Sequence, residues 1–166
     1  MQIFHLAFTV KDLDSTRQFY GDLLGCEEGR STDTWVDFNF FGHQLSLHVG
    51  EVVQRCKTNS SVDDISVPMP HYGCVIEWGI FYDLAAKLQS KGMTFIVDPC
   101  VRFKGLPGEQ ATMFFEDYSG NALEFKAYPY TLKNILSPDS ATAQQDFGHR
   151  IVARHDGRTV VASAPG

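Results

Sequence analysis

Cysteine is scarce in this chain: there are four in 166 residues, Cys26, Cys56, Cys74 and Cys100, and no two stand at a CxxC spacing. That spacing argues against a zinc ribbon or a disulfide framework and for four reduced thiols. A basic cluster is also missing, since 14 Lys and Arg face 20 Asp and Glu for a net charge of −6. The sign is wrong for nucleic acid or an anionic membrane, so a small molecule is the expected partner. No run approaches the roughly 18 apolar residues of a membrane span. The opening "MQIFHLAFTVKDLD" has neither a basic region nor a long apolar stretch, so the expected compartment is the cytoplasm. What the chain has in quantity is aromatic side chain, 13 Phe, 6 Tyr and 2 Trp within a 43% apolar composition, enough for one core and an aromatic-lined site.

Residues 3 to 10, "IFHLAFTV", alternate as a strand, with Phe4, Leu6, Phe8 and Val10 on one face and His5, Ala7 and Thr9 on the other. The following "KDLDSTRQFYGDLLGC" reads as a helix capped by Asp12 or Asp14, apolar at Phe19, Tyr20, Leu23 and Leu24, and closed by Gly25. Strands are expected near 26–30, 34–41 and 43–49, which makes residues 1–50 a βαβββ module. The polar stretch 51–70 ends in two prolines and is read as a linker. From His71 the order begins again: a strand "HYGCVIEW", a helix with Phe81, Leu84, Ala85 and Leu88 at helical spacing, then strands near 94–98, 110–117 and 121–128. Residues 1–130 thus form one expected α+β domain of two modules, 1–50 and 71–128. Residues 131–166 form a C-terminal tail, a linker followed by a hairpin about Asp156-Gly157.

The two halves superpose as sequences. "HLAFTV" lies over "HYGCVI" with His5 on His71, and "FFGHQLSLHV" lies over "YSGNALEFKA" with Gly42 on Gly120. The histidines are offset by 66 residues and the glycines by 78, so the second module is longer by 12. The excess falls most economically around 102–109, as a lid or as a plain surface excursion. Four positions after the glycine stand Ser46 in the first module and Glu124 in the second. A pseudo-twofold axis between modules is expected to bring His5, His71 and Glu124 toward one centre, with Ser46 at the fourth place. Two imidazoles and a carboxylate on rigid strands hold a divalent metal on one face and leave coordination positions open. Taken singly, a strand histidine is more often a structural residue and a strand glutamate a solvated one. It is the equivalence imposed by the repeat that selects these three.

These residues carry a resemblance. "FHLAFTVKDLDSTRQFYGDLLGC" resembles the opening of the vicinal oxygen chelate superfamily, which includes glyoxalase I, extradiol dioxygenases, fosfomycin-resistance transferases and bleomycin-resistance proteins. "MFFEDYSGNALEFKAY" is similar to its closing motif FxDPxGNxxE, with Tyr118 where proline is usual. The resemblance spans residues 3–128. It implies two βαβββ modules forming a cupped, barrel-like mixed sheet with helices outside, and His5, His71 and Glu124 as metal ligands. Glyoxalase I usually has a fourth protein ligand at the place of Ser46, a poor ligand, which weakens a nickel or zinc isomerase reading; a register two residues later would offer His48.

The implied activity is that of a metal-dependent enzyme, first an extradiol-type ring-cleaving dioxygenase acting on a small aromatic or vicinal-oxygen substrate. Fe(II) is the favoured cofactor, with Mn(II), Zn(II) or Ni(II) as alternatives. The same triad suits a glyoxalase-like lyase or a thiol transferase, and the same fold suits a metal-free ligand-sequestering resistance protein. A homodimer is expected. His48, on the Ser46 face, is the candidate acid/base because imidazole titrates near neutrality. Trp35, Asn39 and Phe114 are candidate pocket walls with Ser46, and Arg102, placed in the inserted loop, is a candidate clamp for a substrate carboxylate. The less specific readings are a surface histidine, core aromatics and a solvated loop arginine.

Overall fold

A computed structural model describes residues 2–52, 56–62, 65–106, 108–129, 152–155 and 158–161, with 56–62, 65–66 and the last two segments as backbone. Strand β1 (His5–Val10) leads into helix α1 (Leu13–Thr16), which continues as a π-helical segment (Arg17–Leu23). Strands β2 (Glu27–Ser31), β3 (Trp35–Phe40) and β4 (His43–Val49) follow. A hairpin, β5 (Cys56–Val62) and β6 (Ile65–Met69), separates them from the second module. That module is β7 (His71–Ile76), α2 (Trp78–Ser90), β8 (Phe95–Arg102), β9 (Gln110–Glu116) and β10 (Ala122–Ala127). A last antiparallel pair, β11 (Val152–His155) and β12 (Arg158–Val161), falls where the tail hairpin was expected, its Asp156-Gly157 turn and the 131–146 stretch lying outside the described residues.

The two modules build two four-stranded mixed sheets of identical topology, ordered β1-β4-β3-β2 and β7-β10-β9-β8. In each, the first strand runs parallel to the last, which is what a helical crossover requires, and the remaining pairs are antiparallel. The sheets are open, and a cupped arrangement is compatible with them. The β3–β4 connection is the tightest turn of the first module, with Phe41 (φ 52°) and Gly42 (φ 89°) both left-handed between the paired residues Phe40 and His43. Positive φ at both central residues is the hairpin geometry whose twist matches that of the strands it joins.

One hydrophobic cluster serves both modules. Phe38, Phe40, Leu45 and Leu47 of the first sheet are buried with Tyr72, Met113, Phe115 and Phe125 of the second. Each buried aromatic contributes about 2–3 kcal/mol by leaving water. The π-helical segment that continues α1 bridges the modules: Phe19 packs on Phe115 and Tyr118, and Tyr20 stacks on Phe38. The expected helix positions Phe81, Leu84, Ala85 and Leu88 are indeed the buried face of α2.

The helix signals hold at both ends of the continuous helical stretch formed by α1 and the π-helical segment. Asp12 is its N-cap, accepting from the Ser15 amide at 2.7 Å and the Ser15 hydroxyl at 2.8 Å, and Gly25 (φ 80°) closes it. Two expectations are corrected. The stretch read as a linker contains the β5–β6 hairpin, because "CKTNSSV" pairs through its backbone without an apolar face to announce it. Strand β8 runs on through "DPCVR" to Arg102, eight residues against five in β2, so part of the extra length is strand rather than loop.

Candidate metal centre

Side-chain alternation decides what each sheet presents. On the second sheet, His71, Glu124, Lys126, Thr112 and Phe114 share the face opposite to the buried Tyr72, Leu123 and Phe125. On the first sheet, His5, Gln44, Ser46, His48, Trp35, Asp37 and Asn39 share the face opposite to Leu45, Leu47 and Phe38. Both sets of candidates stand on the polar faces.

His71 Nε2 lies 3.2 Å from Glu124 Oε2. The other ring nitrogen of His71, Nδ1, lies 2.7 Å from the carbonyl oxygen of Pro68 in β6. A carbonyl only accepts, so Nδ1 carries hydrogen, and in the neutral ring Nε2 keeps the lone pair. Glu124 is 8% exposed, with Oε1 accepting from Thr112 Oγ1 at 2.8 Å and Oε2 lying 3.2 Å from Lys126 Nζ. Burial works against the charged form of Glu124, yet His71, Lys126 and Thr112 more than offset it and hold its pKa below the usual value. The bond to Glu124 raises the pKa of His71 against an opposing effect of burial. Phe114 meets the His71 ring edge-on at 5.1 Å and is itself buried.

Gly73 stands between the two, paired in register with Glu124. A methyl group there would overlap the carbonyl group of Glu124, so only glycine lets β7 approach β10 this closely. Sequence reasoning passed over Gly73; its place two residues after His71 and opposite Glu124 was the available signal.

His5 is exposed, its Nδ1 3.1 Å from Gln44 Oε1. It does not reach the other two. Thr9, at the far end of β1, accepts from Asn121 Nδ2 at 3.0 Å, and Asn121 adjoins Ala122, the register partner of His71. Four strand residues, about 13 Å, separate Thr9 from His5. Among the described residues no three His, Cys, Asp or Glu side chains come together, so a single chain unites His71 and Glu124 and leaves His5 apart.

The remaining candidates divide. Ser46 is buried at 5% exposure and donates to Asp37 Oδ1 at 2.5 Å. His48 is exposed, its ring 6.1 Å from that of half-buried Trp35, over which Arg30 also lies. Asn39 is exposed and accepts from the Gly42 amide at 2.9 Å, which makes it part of the β3–β4 turn. Arg102 is the last residue of β8 rather than a loop residue, is buried at 9% exposure, and lies over the Phe103 ring. Two clefts, one lined by Leu23, Met93, Phe95 and Tyr118 and one by Asp12, Arg17, Thr32 and Val49, include neither His71 nor Glu124. Cys26, Cys74 and Cys100 are free, burial pushes Cys26 up to about 12 and Cys74 to about 11, and the side chain of Cys56 lies outside the described residues.

The closing motif has a structural task besides presenting Glu124. Asp117 accepts from the amides of Ser119 (2.9 Å) and Asn121 (2.8 Å), from Asn121 Nδ2 (2.9 Å) and from the Tyr20 hydroxyl (2.9 Å). Tyr20 also bonds Tyr72, and Lys11 N donates to Ser119 Oγ at 3.0 Å. The turn therefore locks the π-helical segment and the end of β1 against the second sheet.

Comparison with known proteins agrees with this architecture. The family model described as the Glyoxalase/Bleomycin resistance protein/Dioxygenase superfamily matches residues 2–125. The crystal structure of a glyoxalase/bleomycin resistance protein/dioxygenase from Alicyclobacillus acidocaldarius is 31% identical, covers 82% of this chain and 96% of its own, and superposes with a TM-score of 0.66. Virulence protein STM3117 of Salmonella typhimurium is 26% identical over 129 residues, 76% of this chain and 84% of its own. A genomically encoded fosfomycin resistance protein from Listeria monocytogenes shares the fold at 19% identity, with 80% and 96% of the chains covered and a TM-score of 0.58. With the repeated module, the closing motif and these matches in agreement, the chain belongs to the Glyoxalase/Bleomycin resistance protein/Dioxygenase superfamily.

Proposed function

We propose that this chain is a metal-dependent enzyme whose divalent cation is held by His71 and Glu124 of one copy and His5 of a second. The observation that carries the reading is the His71–Glu124 pair itself. In the neutral ring the Pro68 carbonyl leaves the Nε2 lone pair facing Glu124 Oε2, and Oε2 already has the Lys126 ammonium at 3.2 Å. Imidazole nitrogen and carboxylate oxygen suit Fe(II), Mn(II), Zn(II) or Ni(II). His5, exposed and on the equivalent strand of the other module, is available to a neighbouring copy, which makes the working unit a homodimer. When bound, such an ion acts as a Lewis acid toward two adjacent oxygens of a substrate. The residues around it hold and shape: Thr112 pins Glu124, Phe114 walls the His71 side, and Lys126 brings positive charge beside the carboxylate.

Within that class we propose extradiol-type ring cleavage with Fe(II), on a small substrate bearing vicinal oxygens. The support is Ser46. It stands where a fourth protein ligand would stand, and its hydroxyl is committed to Asp37, so His5, His71 and Glu124 would be the protein's three ligands and an Fe(II) held by them would supply oxygen-activating chemistry. Protein purified without oxygen is expected to carry one metal per site and to consume O₂ with catechols under Fe(II). Turnover of a thiol adduct under Mn(II) or Ni(II), without oxygen uptake, would place it among the lyases and transferases instead. Full metal content in both His71→Ala and Glu124→Ala would end the metalloenzyme reading.

A further inference from the structure

We propose that Gln44 and Asp37 are positioning residues for His5, a two-step hydrogen-bond relay that keeps hydrogen on Nδ1 and leaves Nε2 free for a metal ion. The inference rests on the reading of His5 as a ligand. It starts at Asp37, which is 6% exposed and directly opposite Ser46 in the β3–β4 register. Asp37 Oδ1 takes the Ser46 hydroxyl, and Oδ2 takes Gln44 Nε2 at 3.1 Å and Arg30 Nη2 at 3.3 Å. Burial disfavours the Asp37 anion, but these three donors prevail and its pKa is lowered, so it is an acceptor at neutral pH.

The direction of every later bond follows. A carboxylate cannot donate, so the end of the Gln44 amide that faces it is the amino end. The carbonyl end then faces His5, at 3.1 Å from Nδ1. A carbonyl cannot donate either, so the hydrogen is on Nδ1 of His5, and the neutral ring holds its lone pair on Nε2. An isolated histidine in water favours the opposite tautomer, with hydrogen on Nε2.

The second module supplies an independent parallel. His71, the repeat partner of His5, is fixed in the same tautomer by a different device, the Pro68 carbonyl. An exposed surface histidine needs no such anchoring, and outer-sphere partners of this kind orient metal-ligating imidazoles. The register also accounts for Ser46. Ala7 pairs with Ser46 as Gly73 pairs with Glu124, so the first sheet has a hydroxyl at the carboxylate's place and a buried carboxylate one strand away. That carboxylate supports the histidine rather than joining it as a ligand.

The test is nitrogen NMR of the imidazoles in metal-free protein at pH 8, with Mn(II) affinity measured beside it. Wild type is expected to show hydrogen on Nδ1 of both His5 and His71. Gln44→Met should move His5 to the Nε2-hydrogen form, leave His71 unchanged and weaken Mn(II) binding roughly tenfold to a hundredfold. Asp37→Asn should shift His5 in the same direction through Gln44, and an unchanged amide spectrum elsewhere certifies folding. His5 found with hydrogen on Nε2 in wild type, or unmoved in folded Gln44→Met, overturns the positioning role alone. Undiminished Mn(II) binding in His5→Ala overturns the ligand reading, and the positioning role with it.

Discussion

Glu124 Oε2 sits between His71 Nε2 and Lys126 Nζ, 3.2 Å from each. In the metal-free chain the carboxylate is thus paired with one permanent cation and one conditional one. The conditional partner makes the site sensitive to pH, and the two shifts act in opposite directions.

The first prediction concerns stability without metal. His71 has its pKa raised above its ordinary 6.5, mainly by Glu124, so its contribution is complete below 6.5 and is lost as pH rises through the folded value. Glu124 has its pKa lowered below its ordinary 4.5, so its contribution is complete above 4.5 and is lost as pH falls through the folded value. Both are present together only between these limits. Urea unfolding in EDTA should show wild type exceeding His71→Gln by on the order of 1 kcal/mol in that window, with the gap narrowing on either side. A gap independent of pH would show that the two groups are not coupled.

Gly73→Ala is expected to separate β7 from β10, because the added methyl group would overlap the Glu124 carbonyl. Overpacking of this kind costs about 1–3 kcal/mol. Because the displacement falls directly beneath the His71–Glu124 pair, metal content should fall more than the loss of stability explains. A folded Gly73→Ala protein with wild-type metal content would show that the strand spacing does not set the site.

Removing Asp117 should be more damaging to the fold than removing either His71 or Glu124. Asp117→Ala deprives Ser119, Asn121 and Tyr20 of their acceptor at a buried turn, which is expected to cost about 3 kcal/mol or more. Tyr20→Phe, which removes only one of those donors, should cost about 1 kcal/mol. Denaturant midpoints for the pair test the order; equal losses would mean that the turn is held by something other than Asp117.

Much of the fold was legible because alternation and helical spacing survive in the sequence. "IFHLAFTV" and "HYGCVI" show a period of two, and the α2 positions Phe81, Leu84, Ala85 and Leu88 a helical one. The repeat went further and paired His71 with Glu124, since matching registers put both on one face. Periodicity is silent about the β5–β6 hairpin, because "CKTNSSV" carries no alternation of apolar and polar residues. It could not reach the Asp37–Gln44–His5 relay either, which depends on a cross-strand register set by the Phe41-Gly42 turn. Nor could it show His5 apart from His71, because the docking of Asn121 on Thr9 is a matter of how modules pack.

That separation yields the sharpest prediction. If His5 of one copy completes the site built on His71 and Glu124 of another, two defective chains can rescue each other. A His5→Ala chain retains His71 and Glu124, and a His71→Ala chain retains His5. A dimer containing one of each has one site lacking both histidines and one site fully intact. Each variant alone should bind little metal. Mixed and refolded together in equal amounts, half the dimers are heterodimers, so metal content should recover to about a quarter of wild type, with activity rising in parallel. No recovery in a mixture shown by mass to contain the heterodimer would mean that His5 reaches His71 within its own chain or is not a ligand. A Glu124→Ala chain mixed with His71→Ala is the control: both lesions fall in the same half-site, and no intact site can form.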